Sequence, residues 1–287
     1  GITTKPYVNV GKMKNKGFDT SLEYNQRVGQ VRLSGKANFT YAHNEIVDND
    51  EPDWKYPYLN RRGQTLWPQY GLVAAGLFES QEDIDSWPKQ TFGDVKPGDI
   101  KYRDINGDGV VDTFDKVAIG YTTIPEINYG FGASLNWKGF DISVFFSGVA
   151  NTTRIISGFN LFGQASNIKR SGQIFADVAE KRWTLDNQDP NAPYPRLAMK
   201  KVDNNQQAST YWLRDMSFLR LKNAEIGYTL PRAWTKKAGF SAVRFYVQGV
   251  NLLTFSDFKL WDPELSASYG NQYPQVRTVT IGVNLNF

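Results

Sequence analysis

The segment of the chain with the clearest chemistry is DINGDGVVDTFD at residues 104–115. A flexible Ca²⁺ loop places oxygen ligands at positions 1, 3, 5, 7, 9 and 12 and a glycine at position 6, where the backbone turns sharply. Gly109 stands at that turn, and the carboxylates repel one another unless a cation joins them. The motif therefore predicts a structural Ca²⁺ site with the ligands Asp104, Asn106, Asp108, Val110 (through its carbonyl), Asp112 and Asp115.

The same segment leaves some points open. Asp115 stands where a longer Glu is usual, so its reach toward the ion is shorter. Oxygen donors of this number favour Ca²⁺ over Mg²⁺ without deciding between them, and an acidic turn without an ion is the alternative. No helical pattern flanks the segment, so we expect it to stiffen a loop rather than to sense Ca²⁺.

Aromatic residues crowd the stretches between the predicted strands. Some of them are expected to offer ring faces on which sugar rings or peptide side chains stack, and the candidates are Trp54, Tyr56, Trp67 and Trp261. The alternative for each of them is a place in an interfacial aromatic belt or in loop packing.

Residues suited to catalysis are few. His43 is the only histidine and cysteine is absent, which excludes a His-based metal site and a Cys nucleophile within this chain. Phosphate-binding and nucleophile-elbow motifs are absent too. A glycosidase carboxylate pair is left open, although no spacing points to one. The chain is therefore predicted not to be an enzyme.

Composition excludes few classes of protein. The 287 residues carry a net charge of +4, and the cations are scattered or paired, so nucleic acid is not an expected partner. Mean hydropathy is −0.48, and no run approaches the ~18 apolar residues of a spanning helix. Alternating strands hide their apolar half from such an average, so a membrane barrel remains open.

Apolar and polar residues alternate along most of the sequence, as in strands with one apolar face. The stretches are residues 18–24, 31–41, 127–137, 140–146, 224–230, 243–247 and 279–287. A one-residue slip would place charges such as Arg32 on the apolar face, so the register is well specified. Helical periodicity is confined to residues 173–183, where Ile174, Val178 and Ala179 would share a face.

The links between these strands alternate in length. Short links are predicted at residues 25–30, 138–139 and 231–241, and long ones at residues 45–125, 150–212 and 253–275, with YGLVAAGLF (70–78) inside the first. Outer-membrane barrels sort their loops in this way, with short periplasmic turns and long external loops. The pattern predicts an all-β fold, an antiparallel transmembrane β-barrel segment of about seven strands with long extracellular loops.

Seven is an odd number, whereas single-chain bacterial barrels normally have an even one. An unclosed sheet would also leave backbone N–H and C=O groups unpaired in lipid. We therefore expect residues 1–287 to be the C-terminal part of a larger barrel. Phe287 would then lie at the periplasmic interface, with Arg32, Lys36, Asn38 and Ser134 lining the lumen.

An ordered series of sequence blocks resembles one known family. The blocks are NVGKMKNKGFDTSLEY (9–24), KPGDIKYRDINGDGVVDTFDKVAIGYTTIPEINYGFGASLNWKGFDISVFFSGVA (96–150), YWLRDMSFLRLKNAEIGYTLP (211–231), VRFYVQGVNLLTF (243–255) and YPQVRTVTIGVNLNF (273–287). They closely resemble the C-terminal third of SusC/RagA-type TonB-dependent transporters from Bacteroidota, and the likeness runs through nearly the whole chain.

The resemblance implies a 22-stranded barrel in the bacterial outer membrane, an N-terminal plug and a SusD-like surface lipoprotein over the external loops. It implies nutrient uptake, the import of oligosaccharides or peptides, powered by TonB through an N-terminal region outside this chain. The implied partners are the lipoprotein, the remaining barrel and plug, TonB, outer-membrane lipid and the substrate. The identity of the substrate and the pairing of two such transporters are left open.

Two other functions remain open. A self-contained small outer-membrane barrel, acting as an adhesin or a membrane enzyme, would need YGLVAAGLF as an eighth spanning strand. A secreted carbohydrate-binding module with a Ca²⁺ loop would be soluble without detergent. The membrane interpretation fails if Phe131, Val144, Phe245 and Ile281 pack together in a hydrophobic interior.

Overall fold

The computed structural model describes residues 10–163, 173–265 and 267–287. Its strands are β1 (Lys12–Val28), β2 (Val31–Asp48), β3 (Gln69–Gly71), β4 (Ala74–Leu77), β5 (Lys89–Gln90), β6 (Ile100–Tyr102), β7 (Val110–Val111), β8 (Val117–Gly120), β9 (Ile127–Trp137), β10 (Phe140–Ala150), β11 (Thr153–Ile155), β12 (Leu213–Asp215), β13 (Phe218–Thr229), β14 (Ala242–Phe255) and β15 (Thr278–Asn286). The α-helices are α1 (Gln81–Ser86), α2 (Phe159–Phe162), α3 (Ala176–Lys181) and α4 (Arg232–Thr235). Among these residues no helix has the length and apolarity that a membrane span requires. The start of the first sequence block, and residues 164–172 of the predicted 150–212 link, lie outside the described residues.

Seven strands form one antiparallel sheet in the order β1-β2-β9-β10-β13-β14-β15, which we call the wall. At one end its strands are joined by residues 29–30, 138–139 and 230–241, and at the other by residues 49–126, 151–217 and 256–277. Lys138 and Gly139 have φ values of 48° and 88°, as a two-residue hairpin turn of matching twist requires. The predicted strand count and the alternation of short and long links are confirmed.

Cross-strand register aligns apolar side chains in rows along one face of the wall. One row consists of Leu33, Leu135, Ile142, Ile226, Val247 and Ile281. Phe131, Val144, Phe245 and Ile281 are 43%, 36%, 48% and 80% exposed, so they do not form an interior. The apolar face is therefore outward and free to contact lipid, as the membrane interpretation requires.

The opposite face of the wall is polar and held by contacts between strands. Arg244 on β14 pairs with Asp141 on β10 and Glu225 on β13. Its guanidinium passes over Gly227, where an added Cβ would lie 2.3 Å from Nη2. The absence of a side chain at residue 227 therefore gives the arginine its path across three strands.

The residues predicted to line the lumen share this polar face. Register places Arg32 level with Asp141, and Lys36 level with Phe145, through their common partners on β9. Lys36 Nζ lies 5.0 Å from the centre of the Phe145 ring. The Ser134 hydroxyl lies 2.6 Å from that of Ser34 on the neighbouring strand. On this face, the serine pair joins β2 to β9, and the Lys36–Phe145 contact reaches across β9 from β2 to β10.

The three long links fold against one another around a hydrophobic core of their own, which we call the loop core. Its buried members are Leu72, Leu77, Ile100, Tyr102, Val111, Ile156, Leu161, Val178, Trp183, Ala192, Tyr194, Trp212, Met216 and Phe258. Trp212 is 1% exposed and packs edge-on against Phe162, with ring centroids 5.0 Å apart. Its indole N–H donates to the Asn205 carbonyl over 2.7 Å. The buried hydrophobic core of this chain thus lies in its links, whereas the wall has one apolar face and one polar face.

The structure bears on three points of the sequence analysis: the lengths of the first two wall strands, the extent of the predicted helix and the place of YGLVAAGLF. The first two wall strands have 17 and 18 residues, well beyond the ~9–11 needed to cross a bilayer, so this hairpin extends past the membrane. The helix predicted over residues 173–183 is reduced to α3, and Ala179 is exposed while Val178 is buried. The stretch YGLVAAGLF supplies β3 and β4, which pair with β8 and β6 inside the first link, so it is not an eighth wall strand.

Replacing Gly227 with alanine tests the arginine crossing. We expect Gly227→Ala to push Arg244 off its two carboxylates and to lower the free energy of unfolding by about 1 kcal/mol, because the pair is only partly buried. Urea unfolding of the detergent-folded protein measures this. Gly35→Ala is the matched control, because an added Cβ there meets only the Gly132 carbonyl oxygen at 3.9 Å. Equal losses in the two variants would contradict the assignment.

Candidate functional site

The acidic segment folds into a tight loop whose carboxylates bind their own backbone. Asp104 accepts hydrogen bonds from the Gly107 and Gly109 N–H groups at 2.7 and 2.8 Å. Asp108 accepts one from the Val110 N–H at 3.0 Å. Gly109 has a φ of 86°, so it makes the sharp turn that the motif predicts. The side chains that the motif predicts as ligands thus also hold the loop in its conformation.

Asp115, the last predicted ligand, has a different position from the others. It is fully buried, and its two carboxylate oxygens accept hydrogen bonds from the Ile105 and Asp112 N–H groups, each at 2.7 Å. The Asp112 side chain in turn accepts from the Phe114 N–H, which closes a capping box on the turn Thr113–Asp115. Asp115 therefore fastens the two ends of the loop together.

The donor set fits a hard cation in its chemistry. Asp104, Asn106, Asp108, Asp112 and the Val110 carbonyl supply oxygen, and a carboxylate has lone pairs beyond those that backbone N–H groups occupy. Within the part of the chain that is described, however, no three acidic or histidine side chains converge into a cluster around one point. The Ca²⁺ site therefore stays a prediction, with Asp115 committed to the backbone.

The candidate aromatic residues do not form one platform. Trp54 and Trp67 in the first link are 46% and 69% exposed, so their rings are free to meet a ligand. Tyr56 stacks on a neighbouring tyrosine, with ring centroids 5.7 Å apart. Trp261 in the third link packs edge-on against Phe258 at 4.8 Å, beside the loop core. Ligand contact by these four residues remains a prediction, and Trp261 has a packing role besides.

The single histidine ties strand ends together. His43 Nδ1 lies 2.6 Å from Glu126 Oε1, and Asn151 donates to the other carboxylate oxygen of Glu126 over 3.1 Å. His43 belongs to β2, Glu126 precedes β9, and Asn151 follows β10. The three residues therefore join neighbouring strands at the end of the wall from which the long links leave.

Sequence reasoning missed a buried polar cluster between the first and second links. Asp99 is fully buried and accepts hydrogen bonds from Arg196 Nη2 at 2.8 Å and Asn205 Nδ2 at 2.7 Å. Beside it, Gln90 donates to Asn204 Oδ1 over 2.7 Å. These residues lie up to 114 positions apart and follow no period, so only the folded chain reveals the cluster.

Known proteins resemble this chain over both the wall and the links. No family model matches the chain. TonB-dependent receptor P26 of Formosa agariphila is 31% identical over 304 residues, covering 97% of this chain and 30% of that receptor. SusC of Bacteroides thetaiotaomicron is 25% identical, again over 97% of this chain, and covers 27% of SusC. The solved RagAB peptide transporter superposes on 97% of the chain with a TM-score of 0.70 at 25% identity.

Over nearly its whole length, the chain is similar to one part of SusC/RagA-type TonB-dependent transporters. It spans only about 30% of the length of the curated relatives that it matches. Transporters of this type are outer-membrane proteins, which agrees with the outward apolar face of the wall. The relatives are named as receptors and transporters, in agreement with the prediction that the chain is not an enzyme.

The links have a defined shape of their own beyond the end of the wall. The loop core brings together residues from all three links, and Asp99, Arg196 and Asn205 join two of them in its interior. Ordered polar groups on such links are therefore fixed relative to one another. That rigidity is a condition for selective contact with a ligand or partner.

Removing the central tryptophan tests whether the links form one folded unit. We expect Trp212→Ala to cost about 3–5 kcal/mol locally, because a large buried ring is lost. Trypsin should then cut the links readily while the wall keeps its heat-modifiable migration in gels. Trp67→Ala, which removes an exposed ring, should leave the cleavage pattern unchanged. Links that resist trypsin equally in both variants would argue against a shared core.

Proposed function

We propose that this chain forms part of the barrel wall and the external loops of a TonB-dependent importer of oligosaccharides or peptides. In this proposal the importer acts in the outer membrane with a SusD-like lipoprotein, and TonB supplies energy through a region outside residues 1–287. The work of the chain is to provide a polar lumen surface and shaped loops. The proposal gives no residue of the chain a catalytic role.

The observation that carries the proposal is the division of the wall into an exposed apolar face and a hydrogen-bonded polar face. Phe131 and Ile281 belong to the first, whereas Ser134, Glu225 and Arg244 belong to the second. A soluble sandwich would cover the apolar face with another layer. Lipid on one side and water on the other account for both faces at once.

The edges of the wall support a larger barrel. Among the described residues, β1 pairs only with β2 and β15 pairs only with β14. Each outer edge therefore presents a row of N–H and C=O groups, and these cost several kcal/mol apiece when left unpaired in lipid. We infer that further strands of the transporter pair with both edges. Residues 1–287 would then be its C-terminal portion, as the sequence blocks imply.

Uptake by the full-length transporter that contains this chain tests the function. Labelled oligosaccharides and peptides are offered to cells that express the transporter, with and without a working TonB complex and with and without the lipoprotein. We expect accumulation of one substrate class, lost without TonB and strongly reduced without the lipoprotein. Accumulation that is the same in all these cells would contradict energy-coupled import.

We also propose that residues 104–112 of the acidic loop hold one Ca²⁺ through the side chains of Asp104, Asn106, Asp108 and Asp112 and the carbonyl of Val110. The ion would supply the charge that offsets these carboxylates and would stiffen the loop. The support is the oxygen-only donor set and the ordered turn at Gly109. Extracellular sites of this kind bind Ca²⁺ with dissociation constants of about 10⁻⁴–10⁻³ M.

Calorimetric titration with Ca²⁺ and Mg²⁺ tests the metal proposal. We expect heat of binding with Ca²⁺, weaker binding of Mg²⁺, and at least about tenfold weaker Ca²⁺ binding in Asp104→Asn, because a charged ligand is lost. Asp186→Asn, at an exposed loop carboxylate, is the matched control and should bind as the native protein does. Identical isotherms for the native protein and Asp104→Asn would remove the site.

A further inference from the structure

Arg214, a cation of the second link, forms no ion pair with any residue that the structure describes. Arg214 lies on β12, and its Nη1 group donates to the Tyr211 and Leu213 carbonyl oxygens at 2.7 and 3.0 Å. Those two bonds fix the plane of the guanidinium. Within the described residues, its Nε and Nη2 groups have no hydrogen-bond partner, and neither is sealed in the interior. These two groups form the side-on edge of the guanidinium, which can bind both oxygens of a carboxylate.

Two other arginines in this region have acidic partners. Arg196 contacts Asp99, and Arg220 contacts Asp262. No carboxylate of the described residues forms an ion pair with Arg214, and burial lowers the pKa of its guanidinium. A partly buried cation without a counter-ion is costly unless a ligand supplies the missing charge.

Arg154 adds to the positive potential at this position. It stands directly opposite Arg214 in the antiparallel pair of β11 and β12. Side chains in such cross-strand positions lie on one face of the pair, and like charges placed there repel.

Arg214 lines a cavity of about 490 Å³ in the links. Phe175, Pro193 and Leu260 form an apolar part of its lining. The volume lies in the range of sites for small ligands, which typically combine an apolar wall with a few placed polar groups. The cavity is therefore large enough for the terminal residues of a short chain.

Two of the three acidic side chains in the lining, Asp177 and Asp215, accept hydrogen bonds from other residues, and Asp257 is the third. Asp177 accepts a hydrogen bond from the Tyr194 hydroxyl at 2.6 Å and pairs with Lys181, and these bonds hold its pKa below the usual range. Asp215 accepts a hydrogen bond from the Ser217 N–H at 2.8 Å. None of the three carboxylates forms an ion pair with Arg214 among the described residues, so the side-on edge of its guanidinium is left for a ligand.

We propose that Arg214 binds the free C-terminal carboxylate of a peptide in this cavity, with the last side chain of the peptide against Phe175, Pro193 and Leu260. The proposal rests on the importer function and assigns a peptide class to one of its sites. The lining favours a peptide over an acidic sugar, because Tyr194 and Phe258 are only 3% and 6% exposed. Their ring faces are therefore not free for stacking against a sugar.

Binding to the full-length transporter in detergent tests the site. The probes are a pentapeptide ending in leucine as its free acid, the same peptide as its C-terminal amide, and oligogalacturonate. We expect the acid to bind about 10- to 100-fold more tightly than the amide, because two charge-assisted hydrogen bonds are lost with the carboxylate. Arg214→Gln should remove this difference, and Arg214→Lys should restore only part of it, since an ammonium group cannot form the fork.

The amide shows whether the cavity survives the substitution. We expect its affinity to be the same in the native protein, in Arg214→Gln and in the control Arg232→Gln, an exposed arginine on α4. Equal binding of acid and amide by the native protein would overturn the site. Tight oligogalacturonate binding that depends on Arg214 would overturn the peptide assignment. TonB-dependent uptake continuing in either case would leave the importer function standing, whereas its absence would reject that function independently.

Discussion

The register of backbone hydrogen bonds across the wall is the constraint on which the rest of this chain depends. Side chains alternate between faces with a period of two, so a slip of one residue on any strand would exchange its lipid and water faces. The row from Leu33 through Ile226 to Ile281 and the crossing of Arg244 over Gly227 both need the same alignment. A change of register would therefore disrupt the apolar row and the Arg244 crossing together.

Register also fixes where the links begin, which explains how loops so long can be ordered. His43 and Glu126 meet because β2 and β9 are aligned, and Asn151 reaches the same carboxylate from the end of β10. From these anchored ends the links pack around Trp212 and its neighbours. Loop-closure entropy rises only slowly with length, so the buried surface and the Asp99 cluster can offset it. Order in the links is thus a consequence of order in the wall.

The sequence predicts the wall well because its signal is local. Alternation over Ile127–Trp137 or Phe140–Ala150 can be recognised without knowledge of distant residues. The turn between these strands is likewise predicted from two adjacent residues, Lys138 and Gly139. The links lack such a local signal. Asp99 contacts Asn205 and Arg196, which lie far along the chain, and the buried residues of the loop core follow no sequence period. The acidic loop lies between these cases. Spacing identified the turn at Gly109, but the burial of Asp115 depends on how Ile105 and Asp112 approach it.

The arginines of this chain differ in how their charge is balanced, and this difference distinguishes those that hold the scaffold from the one that we propose binds a ligand. Arg244 has two acidic partners, so its charge serves the alignment of strands and is not free for a ligand. Arg220, buried at the link end of β13, is likewise held by Asp262 and Glu264. Arg214 is fixed by backbone carbonyls instead, which orient a guanidinium without neutralising it. Orientation without neutralisation is what a recognition group needs, because a salt bridge would have to break before any ligand could bind.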